Sequence, residues 1–306
     1  MHPLRCLAIA AATVLLGACV TVTREPRAVL LVEDQTTRVQ RLDCADTPRA
    51  PHASARARLD PGRIRVATWN IHKQGDPGWE SDLARLATDA DLLLVQELVL
   101  RPDIRAVLER RSGMRWVMAS SFLHRDLDIG VLTASRVPPV ATCTLRVVEP
   151  VLRLPKSTVI TWYAIEGTDR TLAVANMHAI NFALSLGIYR EQLAALLQAL
   201  AGHDGPIVFA GDLNTWTEGR TTAVRETAVR LGLHEIAFTE DRRRLFFGKQ
   251  LDHIFVRGLA LTTSAATEVT SSDHNPVEAT LRFLPPAPDG AVPPAGTPDR
   301  PTVHAP

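Results

Sequence analysis

The chain has 306 residues, of which 46 % are hydrophobic and 22 % charged, the composition of a globular protein long enough for a large core. Its 34 Lys and Arg stand against 33 Asp and Glu, a formal net charge of +1. That balance excludes a chain-wide electrostatic footprint for nucleic acid and leaves only a local basic patch open.

The first five residues are short and basic, and residues 7–16 are apolar and Ala-rich. That run is too short to span a bilayer as a permanent helix, so it reads as a signal peptide. Leu16-Gly17-Ala18-Cys19 follows at once. A cleavage signal ending in Cys resembles a bacterial lipobox, and the resemblance implies removal of residues 1–18 and lipidation of Cys19. Val20, standing where an Asp would signal retention, implies the outer membrane, facing the periplasm. Cys6 would be removed. Cys44 and Cys143 remain, and either pair in an oxidising compartment or stay as separate thiols.

Residues 20–62 are rich in Arg, Ala, Pro and Thr and lack sustained periodicity outside 28–32. Residues 19–62 therefore read as a lipidated tether that adds one strand to the domain. Residues 63–283 form the folded domain. Residues 284–306, abundant in Pro, Ala, Gly and Asp, read as a disordered tail.

Within the domain, strands are expected at residues 64–69, 91–96, 129–133, 158–165, 172–177, 207–210, 254–256 and 277–283. Helices are expected at 79–88, 104–111 (after Pro102), 184–200 and 221–231. Strands interspersed with helices predict an α/β fold of two sheets with helices on the outer faces.

Several apolar strands end in a residue with chemical use. Asn70, Glu97 and His178 close three of them, and Asp252 and Asp273-His274-Asn275 stand just before two more. The most informative stretch is Gly211-Asp212-Leu213-Asn214, where an apolar run delivers a carboxylate and a carboxamide at i and i+2. On extended backbone those two side chains share a face.

Trp69-Asn70-Ile71-His72, Gln96-Glu97, Asn176-Met177-His178, Gly211-Asp212-Leu213-Asn214, Leu251-Asp252-His253 and Ser272-Asp273-His274-Asn275-Pro276 occur in that order. In this the chain resembles the endonuclease/exonuclease/phosphatase superfamily over about residues 64–283, and the stretch His178 to Arg220, with Asn181-Phe182 and Asn214-Thr215-Trp216, looks closest to a poorly characterised bacterial branch. The resemblance implies a four-layer α/β sandwich of two packed mixed sheets with helices outside, DNase I-like, with an active site at one edge. It also implies a divalent-metal-dependent phosphoesterase, above all a phosphodiesterase, acting on nucleic acid or a phospholipid headgroup.

The residue types suit that chemistry. Cleaving a phosphodiester needs a cation on its oxygens, an activated water and a stabiliser for the leaving alkoxide. Asn70, Glu97 and Asp273 offer hard oxygen ligands, which favour Mg²⁺ or Mn²⁺ over Zn²⁺. Asp212 is assigned as general base or water orienter, and Asn214 as holder of the phosphate or that water. His274, partnered by Asp252, would touch the phosphate. His178 would stabilise or protonate the leaving oxygen. One position departs from the DNase I-like pattern: where an acid would pair with His178, the chain has Pro155-Lys156-Ser157. Lys156 cannot pair with an imidazolium, and either binds a substrate phosphate as a point charge or is a solvated loop lysine. His253 is expected to pack rather than react, and His72 is a second-rank site residue. Arg242-Arg243-Arg244 before Phe246-Phe247 reads as a charged loop or as a nucleic-acid contact. The expected assembly is a membrane-tethered monomer, and the alternative function is a non-catalytic envelope binding module on the same scaffold.

Overall fold

In the strand Ile64–Asn70, Ile64 and Val66 face one way and Ala67 and Trp69 the other, following the two-residue period of extended backbone. Both sets are buried, but in different cores, so this strand needs cover on both faces. The same division recurs in Leu92–Val99, where Leu92 and Leu94 join Ile64 while Leu93 and Val95 join Trp69. It recurs again in Thr171–His178, between Leu172 and Val174 on one side and Ala173 and Ala175 on the other.

These faces build a DNase I-like α/β sandwich. The computed structural model describes residues 20–32, 35–39, 44, 57–183 and 185–285. Among them, one sheet runs in the order Leu259–Ala266, Val277–Phe283, Ile64–Asn70, Leu92–Val99, Leu127–Ser135, Arg115–His124, Arg27–Val32, Gln35–Val39, with Val20–Thr21 also paired to Arg115–His124. The other runs His234–Glu235, Asp252–Arg257, Ile207–Asp212, Thr171–His178, Pro155–Ala164, Ala141–Val148. The sheets pack face to face through Val66, Leu94, Val174, Val208 and Ile254. Helix Trp79–Asp89 covers the outside of the first through Leu83 and Leu86. Helices Gly187–Leu200 and Glu218–Arg230 cover the outside of the second through Leu193, Leu196 and Val224.

The N-terminal segment is more than a tether. Arg27–Val32 is the expected added strand, but Gln35–Val39 pairs with it, and both belong to the first sheet. Cys44 is disulfide-bonded to Cys143, which lies in Ala141–Val148 of the second sheet. The segment thus bridges the two sheets, helped by Arg146, which donates to the Thr23 carbonyl. The signal peptide, Cys19 and residues 286–306 of the tail lie outside the described residues, as does Leu184, the expected start of the long helix. Arg115–His124, Ala141–Val148 and Leu259–Ala266 are strands beyond those expected from the sequence. Two of them are edge strands with half-exposed faces, and the third breaks its alternation with buried Ser120 and Ser121.

The disulfide closes a loop across 99 positions. Disulfides typically stabilise by about 2–4 kcal/mol, long loops at the upper end. Reduction, or Cys143→Ser, should lower the midpoint of chemical denaturation, measured by circular dichroism, and with it the free energy of unfolding by that amount. An unchanged midpoint would remove the staple from the account of stability.

Candidate active site

Strand direction decides where the polar residues gather. Ile64–Asn70 runs parallel to Leu92–Val99, and Thr171–His178 parallel to Ile207–Asp212, so all four bring their C-terminal ends to one edge. Asp252–Arg257 is antiparallel to Ile207–Asp212, with Asp252 opposite Asp212, so its N-terminal end meets the same edge. Asn70, His178 and Asp212 keep the phase of the inter-sheet core residues on their strands and point between the sheets.

Two local departures from regular backbone complete the set. A β-bulge falls between Val95 and Leu98, where the partner strand steps only from Leu132 to Gly130. Its extra residue releases Glu97 from the outer face, with φ at 52°. Positive φ is rare for a residue with a Cβ, and it recurs here at His72, Lys73, Gln74 and Asn214. Gln74 holds its turn by accepting from Val99 N and donating to Val99 O. Gly211, at φ 136°, is required by close approach: a Cβ there would sit 2.0 Å from the Met177 carbonyl oxygen.

The centre is the Asp212 carboxylate, which is buried. Its Oδ2 accepts from Asn70 Nδ2 at 2.9 Å and lies 3.4 Å from His178 Nε2 and 3.9 Å from His274 Nε2. Its Oδ1 accepts from the Asn214 backbone N–H. His274 Nδ1 donates to Asp252 Oδ2 at 2.7 Å. On the other flank His178 Nε2 is 3.7 Å from Glu97 Oε1. Glu97, His178, Asp212, Asn70, His274 and Asp252 therefore form one connected group.

Three expectations change. Asn214 does not share an extended face with Asp212: the strand ends at Asp212, and Asn214 turns away at φ 49° and donates to the Ala179 carbonyl. It props the loop and, through its backbone, Asp212. Asp273 is exposed, and its carboxylate lies 3.8 Å from His72 Nδ1 rather than among the buried carboxylates. Lys156 is no solvated loop residue. It lies in Pro155–Ala164, largely buried, with Nζ 2.9 Å from His178 Nε2 and 3.7 Å from Glu97 Oε1. It pairs with histidine because that imidazole is neutral.

Burial and then the Lys156 charge push the His178 pKa down to about 4, against the opposing pull of Asp212 and Glu97. At neutral pH His178 therefore has no extra proton to give. His274 goes the other way. Burial opposes its charge, but the carboxylates of Asp252 and Asp212 outweigh burial and raise it to about 10. Burial also works against an ionised Glu97, yet His178, Lys156 and Lys73 hold its carboxyl well below the usual range. With His178 neutral, the two lysines carry that effect near pH 7.

Asp212, Asp252 and His274 place ligand atoms within 4.8 Å of one another. They read as an acid–histidine triad rather than a metal cage, because a protonated His274 donates Nδ1–H to Asp252, faces Asp212 with Nε2–H, and has no lone pair left to ligate. The anionic Glu97, one residue past Gln96, which pairs with Asn70 on the neighbouring strand, offers with the Asn70 carboxamide oxygen the donor chemistry of a hard divalent cation site. Lys73, which contacts Glu97 Oε2, and Lys156 supply the countercharge there.

Sequence reasoning did not find the floor of the site. Gln96 Nε2 donates to Asn176 Oδ1 at 2.6 Å across the two sheets. Ser272 donates to the Asn70 carbonyl and accepts from His274 N, and Trp69 Nε1 donates to the His274 carbonyl. A polar residue on the inward phase of an otherwise apolar strand was the available signal. His253 packs as expected, between Glu235 and Thr215.

Two face-packed mixed sheets with outer helices, and a buried acid–histidine group at one edge, define the DNase I-like class. The sequence model of the Endonuclease/Exonuclease/phosphatase family matches residues 67–274, and the chain belongs to that family of phosphoester hydrolases. Solved structures share the fold at low identity. An endonuclease/exonuclease/phosphatase from Bacteroides vulgatus matches with a TM-score of 0.58 at 16 % identity, over 72 % of this chain and 99 % of that one. The catalytic domain of human Nocturnin, with a bound sulfate anion, matches with a TM-score of 0.58 at 18 % identity, over 74 % and 97 %. A mannosyl-6-phosphatase from Bacteroides thetaiotaomicron matches with a TM-score of 0.55 at 16 % identity, over 72 % and 100 %.

The opposed shifts make a direct prediction for the metal-free protein. In a nitrogen-15 NMR titration, His274 should stay protonated through pH 8 while His178 stays neutral down to pH ~5. The stability signs follow from linkage. His274 should stabilise fully below pH ~6.5, with loss as pH rises through 10. His178, depressed, should cost stability as pH falls from ~6.5 towards 4. Two imidazoles titrating together near pH 6.5 would refute this reading of the electrostatics.

Proposed function

We propose that this chain is a divalent-metal-dependent phosphodiesterase that cleaves by in-line attack of an activated water, on a nucleic acid or a phospholipid headgroup. The observation that carries the reading is the single oxygen, Asp212 Oδ2, approached by Asn70, His178 and His274 from three different elements.

Glu97 and Asn70 would hold Mg²⁺ or Mn²⁺, which when bound supplies positive charge to the phosphate oxygens. Asp212, ionised and oriented by the Asn70 amide and the Asn214 N–H, takes the proton of the attacking water. His274, kept cationic by Asp252, donates its Nε2–H to a phosphate oxygen as negative charge develops there. The Lys156–His178 pair faces the leaving oxygen, with Lys156 supplying charge and proton. Lys73 and Lys156 are flexible, so Glu97 can exchange their countercharge for that of a metal ion.

The compartment belongs to the same proposal. A leader ending just before Cys19 and a Cys44–Cys143 disulfide fit a lipid-anchored protein of the oxidising cell envelope.

Hydrolysis of bis-p-nitrophenyl phosphate tests the chemistry. Asp212→Asn and His274→Gln should each lower kcat by at least about 100-fold. Glu97→Gln should act chiefly by raising the Mg²⁺ concentration needed for half-maximal rate. A wild-type chain inactive with every divalent ion would instead be a binding module on this scaffold.

A further inference from the structure

The exposed apolar side chains are not scattered. Among the described residues ten large hydrophobic side chains are exposed, and seven of them lie at the edge that carries the site. Val148 pairs with Pro155 beside Lys156, and Val151 and Leu152 fill the turn between those strands. Phe182 comes just after His178 and lines, with Leu152, a cleft of about 140 Å³ in front of His178 and Lys156.

Across the mouth, Leu245, Phe246 and Phe247 form the tip of a hairpin, Leu245–Phe246 paired with Lys249–Gln250, that leads into Asp252. Phe247 is 77 % exposed and Leu245 60 %, although neither is near a chain end. Both phenylalanines pack against Trp216, whose Nε1 donates to Asn181 Oδ1. The hairpin and the Phe182 loop are thereby joined into one rim around the site. Exposed arginines sit within it: Arg153 beside Leu152, Arg244 beside Leu245, and Arg125 at the adjoining turn.

The chain enters the domain from this same edge. Val20 pairs with His124 and Thr21 with Leu123. His124 lies beyond the position where Ile129 opposes Val99, two residues past Glu97. Cys19, the residue assigned to lipidation, is one peptide bond before Val20.

Aromatic and aliphatic tips flanked by arginine, on the face from which an acyl anchor would depart, match the layered chemistry of an anionic lipid surface. We propose that this rim seats on the bilayer, so that the mouth opens onto lipid phosphates and the substrate is a membrane phosphodiester. This rests on the phosphoesterase reading above and narrows its substrate.

The test uses the full-length lipidated protein on vesicles of phosphatidylcholine and phosphatidylglycerol, roughly 3:1, with and without brominated acyl chains. Phe247→Trp should gain fluorescence quenched by bromine. Val229→Trp should not, since Val229 is 77 % exposed on helix Glu218–Arg230, which leads into the far end of the second sheet where His234 pairs with Val256. Equal quenching of the two would overturn the docking. The Phe246→Ser/Phe247→Ser double variant should lose at least about tenfold in turnover of vesicle phospholipid and keep its rate on bis-p-nitrophenyl phosphate. Unchanged vesicle turnover with impaired nicking of plasmid DNA would overturn the proposal in favour of a base-stacking platform. Failure of the parent protein on the soluble diester would strike the hydrolase reading, while the quenching comparison would still decide the docking.

Discussion

One buried carboxylate oxygen organises this molecule. Asp212 Oδ2 receives Asn70 from the first sheet, His178 from the adjacent strand and His274 from the loop that returns to the first sheet. An ion removed from water costs several kcal/mol unless its lone pairs are matched. Asp212 is tolerable only because both sheets contribute to it. The same atom therefore fixes the relative position of the sheets at that edge and holds the charge on which the proposed chemistry turns. Stability and reactivity are concentrated in one place, and the polar floor of Gln96, Asn176 and Ser272 ties that place together by hydrogen bonds.

Around this centre, charge is sorted rather than accumulated. His274 is cationic because the carboxylates of Asp252 and Asp212 outweigh its burial, while His178 is neutral because burial, reinforced by Lys156, outweighs Asp212 and Glu97. Two histidines at a similar distance from one aspartate thus do different work. Lys156, at the position where the DNase I-like resemblance implies an acid, adds to the burial that keeps its histidine partner neutral.

Much of this was legible in the sequence because apolar strands that end in Asn, Glu, His or Asp announce themselves by phase. Asn70, His178 and Asp212 keep the inward phase of their strands, so periodicity alone aims them. Glu97 does not. Its strand phase points it at the outer helix, and only a bulge, invisible in the run Leu92–Val99, turns it to the site. Asn214 misleads in the opposite sense, since the extended-backbone argument runs past the end of its strand. Lys156 was visible as a departure, but its meaning depended on a protonation state of His178 set by surroundings far away in sequence. The pairing of Cys44 with Cys143 was open for the same reason: their separation in the chain carries no information about their separation in space.

The N-terminal strands have a practical consequence. Arg27–Val32 and Gln35–Val39 lie outside the span matched by the family, yet they cap Arg115–His124, which would otherwise be a long open border of the first sheet. A polypeptide begun at Arg63 would keep every residue of the acid–histidine group and still be a poor substitute for the whole. Its uncovered border, with backbone donors and acceptors in a row, is a template for sticking to another copy. Cys143, its partner gone, would be left as a lone thiol. Clumping of such a shortened chain would report a missing hem, not a fault in the catalytic cloth.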